Sequence, residues 1–227
     1  MFERVSLLID DDELNRFRNS NILLVGLGGV GGACFEALVR MGINNITIID
    51  NDSFEESNLN RQLLSNTNNI GNSKCLEAQL RAKAINPSIS IKIMEMFLDK
   101  SNIDEIEYIN YDYIIDCCDT ITTKYLLIEK ALENNIKIIT CLGTGNRFDA
   151  TKLEITNIWK TSYDPVAKVL RKLLRDNGIS QKIVVLYSSE KPAKIASRTP
   201  GSLVFVPNVA GFYIANYVFN DIINSRK

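Results

Sequence analysis

"NILLVGLGGVGG" (residues 21–32) is the stretch on which the fold turns. Its first half, "NILLVG" (21–26), is an apolar run of strand length, the composition of a parallel strand buried on both faces. Its second half is a glycine loop. Gly26, Gly28 and Gly31 fit G-x-G-x-x-G, and Gly29 adds a further glycine. "ACFEALVRMG" (33–42) beyond them reads as a helix closed by Gly42. Such a loop between a strand and a helix lets the backbone approach a phosphate and aims the helix N-terminus at an anion. "NITIID" (45–50) is a second strand. It ends on Asp50, about 20 residues beyond the loop, where an acid takes a pair of ribose hydroxyls. The stretch therefore predicts nucleotide binding. It does not choose between NAD and ATP.

Outward from this core the pattern continues. A short helix precedes it at 10–19. After it come a helix at 72–85 stopped by Asn86-Pro87, strands at 88–94 and 111–117, a helix at 122–134 and a strand at 136–141. Strands alternating with helices predict an α/β fold, Rossmann-like and doubly wound, with a mostly parallel sheet. Past "LGTG" the order changes to a strand (152–159), a helix, a strand (182–188) and an apolar docking helix (208–224). This is a C-terminal α+β extension. The expected division is a nucleotide-binding part, 1–146, and a basic part, 147–227, across a soft boundary compatible with one domain.

Composition narrows the chemistry. The 227 residues are 45% hydrophobic and 23% charged, as in a compact α/β protein. No apolar run reaches the roughly 18 residues of a membrane span, and the acidic start lacks a signal-peptide core, so a cytoplasmic location without membrane contact is expected. There is no histidine, which removes histidine-based catalysis and most zinc sites. The five cysteines show no C-x-x-C spacing and read as buried reduced thiols. Residues 1–146 hold 13 Lys/Arg against 21 Asp/Glu, a net of −8, while residues 147–227 hold 13 against 6, a net of +7. The second part is suited to an anionic partner.

The segment "NLNRQLLSNTNNIGNSK" (58–74) asks for a purpose. A triphosphate needs cations and a metal. Arg61 can fork onto phosphate oxygens, and Lys74 can reach them as a point charge. Asp119, just after the strand 111–117, lies where such folds bind ligands and can hold Mg2+. A solvated loop explains the same residues, and spacing alone leaves both readings open. "CLGTGNRFD" (141–149) is in the same position: part of a substrate pocket, or a plain crossover.

Four motifs in order, "GLGGVG", "IIDNDSFEESNLNRQ", "IGNSK" and "DCCDT", resemble the ThiF/MoeB superfamily of adenylating enzymes, relatives of ubiquitin-activating enzymes, over about residues 4–145. The resemblance implies that Asp50 binds ribose, with Asp52 in the same nucleotide-binding set. It implies that Asn58, Arg61 and Lys74 contact the triphosphate of ATP, that Gln62 shapes the site and that Asp119 coordinates Mg2+. Arg4 matches an arginine that reaches the partner's ATP in a homodimer. The second part, through "LGTGNRFDATKLEITNIWKTSYDPVAKVLRKLLRDNGI" and "PGSLVFVPNVAGF", is similar to the tRNA threonylcarbamoyladenosine dehydratase branch. That branch implies a tRNA bearing N6-threonylcarbamoyladenosine as substrate, with a sulfur-relay protein as a further candidate partner. It also implies a threonine carboxylate that attacks the α-phosphorus and a carbamoyl oxygen that closes a ring and expels AMP. No cysteine follows Cys141.

Charge placement adds its own reading. Asp164-Pro165 is an N-cap followed by N1, and Gly178 closes the helix. Lys168, Arg171, Lys172 and Arg175 share one stripe, opposed by Val166, Val169, Leu170, Leu173 and Leu174. The stripe suits a phosphate backbone, and Arg147, Lys160 and Arg198 extend the expected path. Three rivals stand beside the dehydratase. One is an adenylyltransferase for a sulfur-carrier or ubiquitin-like protein, one an NAD-dependent dehydrogenase, and one a tRNA-binding module without catalysis.

Overall fold

In the computed structural model, which describes residues 3–197 and 199–224, the chain alternates as the motifs predict. It runs α1 (Asp11–Asn19), β1 (Asn21–Val25), α2 (Gly29–Met41), β2 (Asn45–Ile49), α3 (Lys74–Ile85), β3 (Ser90–Met94), β4 (Tyr113–Asp116), α4 (Ile121–Glu133) and β5 (Lys137–Cys141). Then follow β6 (Leu153–Asn157), α5 (Pro165–Asp176), β7 (Val184–Ser188) and α6 (Phe205–Ile223). The strands form one sheet in the order β3-β2-β1-β4-β5-β7-β6. All neighbours are parallel except β6, which lies antiparallel to β7 at the edge. Residues on both sides of position 146 therefore share one sheet.

Each central strand sends alternate residues to opposite faces. Ile22 and Leu24 join a core with α2, α3 and α6, whereas Leu23 and Val25 join one with α4 and α5. Burial on both faces explains the apolar composition of β1. Each fully buried Leu or Ile contributes about 1.5–3 kcal/mol relative to exposure. Helix α1 caps itself: Asp10 accepts from the Glu13 amide at 2.7 Å and Glu13 accepts from the Asp10 amide at 3.0 Å. It docks Phe17 edge-on against Phe219 of α6 at 4.9 Å.

Two helices start earlier than the sequence pattern suggests. α2 begins at Gly29, not Ala33, because packing overrides the poor helix propensity of its glycine-rich first turn. A Cβ on Gly31 would come within 1.8 Å of the Gly26 carbonyl oxygen, so only glycine lets the turn close under the loop. α6 begins at Phe205, not Asn208, and Pro207 sits in its first turn, where a missing N–H costs nothing. α6 packs across α2 so closely that a Cβ on Gly211 would lie 2.3 Å from the Val30 carbonyl oxygen. No described helix is long and apolar enough to cross a membrane.

Candidate active site

Between β1 and β4 the chain changes direction across the sheet: β1 continues to β2 on one side, and β4 to β5 on the other. Such a switch leaves a crevice outside the carboxyl ends of the strands. A cavity of about 800 Å³ occupies it. It is lined by Gly26, Gly28 and Gly29, by Asp50 and Asp52 after β2, by Asn58, Arg61, Gln62 and Lys74, by Cys117, Cys118 and Asp119 after β4, and by Gly143 and Gly145 after β5. Of the expected nucleotide-binding residues, two lie outside this lining. Gly31 packs beneath the loop, and Arg4 is exposed on an N-terminal turn of the same chain.

Backbone geometry fixes the loop. Gly26 has φ +90°, and a Cβ there would meet the Cys117 carbonyl at 2.8 Å. Asp50 Oδ2 accepts from the Leu27 amide at 2.6 Å, and Oδ1 accepts from the Asp52 amide at 2.8 Å. The acid at the end of β2 thus ties its own turn to the glycine loop. Lys74, at the start of α3, is only 5% exposed, and its Nζ meets Asp52 Oδ2 at 2.7 Å. Arg61 Nη1 donates to the Ser57 carbonyl at 2.7 Å and to Asn60 Oδ1 at 2.9 Å, while the Arg61 carbonyl accepts from Asn208 of α6 at 2.9 Å. Asn58 Oδ1 accepts from the Glu55 amide at 3.1 Å. Gln62 is buried, and its amide oxygen has no partner among the described residues.

Sequence reasoning missed Lys124. It is 2% exposed, lines the cavity floor and meets both oxygens of the fully buried Asp116 at 3.2 and 3.3 Å. Its Nζ also donates to the Cys141 carbonyl at 2.7 Å, so the pair bolts the end of β4 to the end of β5. Burial pulls the lysine pKa down, but the Asp116 carboxylate and the sulfurs of Cys118, Cys141 and Cys117 together outweigh it, and the net value lies above the ordinary one. The one signal was an acid inside the apolar run "YDYIIDC". Burial pushes both the Cys117 and Cys118 thiols up, with Asp116 adding to the effect, so neither is a thiolate near neutral pH.

Asp119 is exposed toward the cavity, and its Oδ1 accepts from the Thr120 hydroxyl at 3.3 Å. No group of three or more potential ligand side chains gathers among the described residues. One exposed carboxylate lining the cavity fits Mg2+, which takes one or two carboxylates and fills its shell with phosphate oxygens and water.

The model of the ThiF family matches residues 3–172. A tRNA threonylcarbamoyladenosine dehydratase of Bacillus subtilis is 34% identical over 98% of this chain and 94% of its own length. One from Haemophilus influenzae is 38% identical over 79% of this chain and 69% of its own. The chain belongs to the ThiF family, in its tRNA threonylcarbamoyladenosine dehydratase branch. The crystal structure of the Escherichia coli tRNA N6-threonylcarbamoyladenosine dehydratase in complex with AMP superposes with a TM-score of 0.92, at 30% identity, covering 97% of this chain and 92% of that one.

In this family member the basic helix departs from its simple reading. α5 is capped by Asp164, whose Oδ1 accepts from Ala167 at 2.9 Å and whose Oδ2 accepts from Gly143 at 3.2 Å. Lys168, Lys172 and Arg175 are exposed, as is Lys160. Arg171 turns back instead, donating to the Ile158 carbonyl at 3.2 Å and the Thr161 carbonyl at 3.1 Å. Arg175 lies over the Trp159 ring at 5.8 Å. Val169 is 51% exposed, so the buried face is Ala167, Leu170 and Leu174. Arg147 is not a surface cation: it is 2% exposed and donates to the Tyr163 carbonyl at 3.4 Å. Burial lowers its pKa, and Asp164 and Glu190 offset part of that. Arg198 lies outside the described residues.

Proposed function

We propose that this protein dehydrates N6-threonylcarbamoyladenosine in tRNA at the expense of ATP, releasing pyrophosphate and AMP. The convergence of a glycine loop, Arg61, Lys74 and Asp119 in one cavity supports the reading most directly. The E. coli relative's complexes with AMP and with ATP support it further. Arg61 and Lys74 hold the triphosphate, and Asp50 orients the ribose. For Lys74 this means leaving Asp52 for a phosphate oxygen. Asp119 would hold Mg2+ together with phosphate oxygens, and the ion would neutralise charge on the phosphates. The threonine carboxylate attacks the α-phosphorus, and pyrophosphate leaves. The carbamoyl oxygen then attacks the activated carbonyl and AMP departs, with the net loss of one water. Ring closure is intramolecular, so the second step needs no enzyme nucleophile. The raised thiols of Cys117 and Cys118 agree with that.

Lys160, Lys168, Lys172 and Arg175 carry the tRNA backbone in this reading, without Arg147. A homodimer would bring Arg4 to the partner's nucleotide. The exposed Leu203, Val204 and Phe205, with Phe212 and Tyr213 on α6, support such an interface. A cytoplasmic site follows from the tRNA substrate, and a sulfur-relay partner is a proposal resting on the family alone. The test is nucleoside mass spectrometry of threonylcarbamoylated tRNA incubated with the protein, ATP and Mg2+. Loss of one water from the modified nucleoside, with AMP formed in step, is expected. An unchanged nucleoside, with pyrophosphate exchange only when a small carrier protein is added, would contradict it.

A further inference from the structure

Sheet order divides the cavity into two ends. Asp50 and Lys74 belong to the β2 side of the glycine loop, whereas Gly143 and Gly145 follow β5 on the other. A nucleotide held by the first leaves the second to the other reactant. The wall at the β5 end is completed by Val166, Thr199 and Pro200. Two aromatic rings open to solvent stand close to that wall in the chain: Phe148 at 65% exposure, three residues past Gly145, and Tyr163 at 59%, next to the Asp164 that accepts from the Gly143 amide.

Their support is built, not loose. The Asn146 amide donates to the Gly201 carbonyl at 2.7 Å, and the Gly201 amide returns a bond to Asn146 Oδ1 at 2.7 Å. The Phe148 amide donates to the Glu190 carboxylate at 3.1 Å. The neighbouring Lys191 places its Nζ 4.9 Å from the centre of the Tyr163 ring. The buried Arg147 holds the Tyr163 carbonyl. Asn146 and Tyr163 both have left-handed backbones, φ +58° and +54°. That conformation is uncommon for any residue with a side chain and more so for a bulky one, and it persists only where the surroundings fix it. Three chain segments are thus knitted together where the two exposed rings and the lysine sit. The rings bury little, so the core gives no reason for them.

We propose that Phe148 and Tyr163 form a stacking platform for the single-stranded bases that flank the modified nucleotide, with Lys191 toward the adjoining phosphate. This rests on the dehydratase reading. The threonylcarbamoyl group reaches the cavity only if its nucleotide leaves the stack, and the bases on either side then lose a neighbour. Aromatic faces accept such bases whatever their identity.

The test is steady-state kinetics on an anticodon stem-loop bearing the modified nucleoside, for wild type, Phe148→Ala, Tyr163→Ala, the double variant and Tyr163→Phe. Each alanine variant is expected to raise KM for the RNA about tenfold, the effect of losing one stacked base. kcat, ATP affinity and melting temperature stay as in wild type, and Tyr163→Phe behaves as wild type. An unchanged KM in the double variant overturns the platform. So does a raised KM that accompanies a changed sedimentation coefficient of the protein alone, which would make the rings a contact between copies. If the wild type leaves the nucleoside intact, the dehydratase reading fails and the platform with it.

Discussion

At the scale of single residues, the site works through placed charge. Lys74→Ala and Asp119→Ala should each lower kcat for AMP formation by at least about a hundredfold, the loss that follows removal of one transition-state stabiliser. Affinity for tRNA, measured by filter binding, should hardly change; a proportional loss of both would mean that these residues act on folding. Lys124 plays a different part. Lys124→Met leaves Asp116 charged and buried without its partner, at a cost of about 3–5 kcal/mol, and Asp116→Leu added to it should recover most of that. Denaturant unfolding of the single and double variants checks this, and additive losses would contradict it. That the glycines, Arg61, Lys74 and Asp119 meet in one cavity was legible in the sequence, from the strand–loop–helix pattern for the glycines and from the motif resemblance for the three charged residues. Lys124 was not, because its partner acid is identified only when β4 and β5 lie side by side. Arg147 was misjudged for the same reason: a charge in a polar loop reads as exposed until the turn at Tyr163 folds over it.

At the scale of elements, packing decided what local preference left open. The glycine-rich start of α2 is a poor helix on its own, yet it is helical because the loop above it admits no side chain. The parallel pairing of β1 to β5 followed from the alternation of strands and helices. The antiparallel β6 at the far edge did not, since nothing local distinguishes its direction. Between α2 and α3, the buried Glu36 accepts from Arg81 Nε at 2.6 Å and from Arg40 Nε at 2.7 Å. Burial alone would raise its pKa, but the two guanidinium groups overrule it and hold the carboxyl below its ordinary value. The unfolded chain therefore takes up this proton more readily than the folded one. The stabilisation is full above the unfolded pKa of about 4.3 and is lost as pH falls through the lower folded value. Glu36→Gln should cost about 1–2 kcal/mol near neutral pH, since both arginines are half exposed and screened. The difference from wild type should vanish in acid. Thermal unfolding across that range reads it, and a difference that persists in acid would contradict the ion-pair origin.

At the scale of the whole molecule, the acidic first part and the basic second part share one sheet, so both charge fields meet around one cavity. KM for tRNA should rise steeply with salt, and Lys168→Ala with Lys172→Ala should lower the slope of that dependence by about one to two. A slope unchanged in the double variant would remove α5 from the RNA path. The uneven charge was readable from the sequence. What it could not reveal is that one member of the stripe, Arg171, is spent on the 158–161 turn, while Arg175 stays exposed over the Trp159 ring. The central claim is that a substrate carboxylate attacks the α-phosphorus of ATP, and one isotope experiment addresses it directly. A tRNA whose threonylcarbamoyl carboxylate carries heavy oxygen is dehydrated with ordinary ATP, and the AMP is weighed. Adenylation makes a carboxylate oxygen the bridge to phosphorus, and ring closure leaves that oxygen on the nucleotide, so the AMP should carry one heavy atom. Unlabelled AMP formed in step with the dehydrated nucleoside would contradict the account.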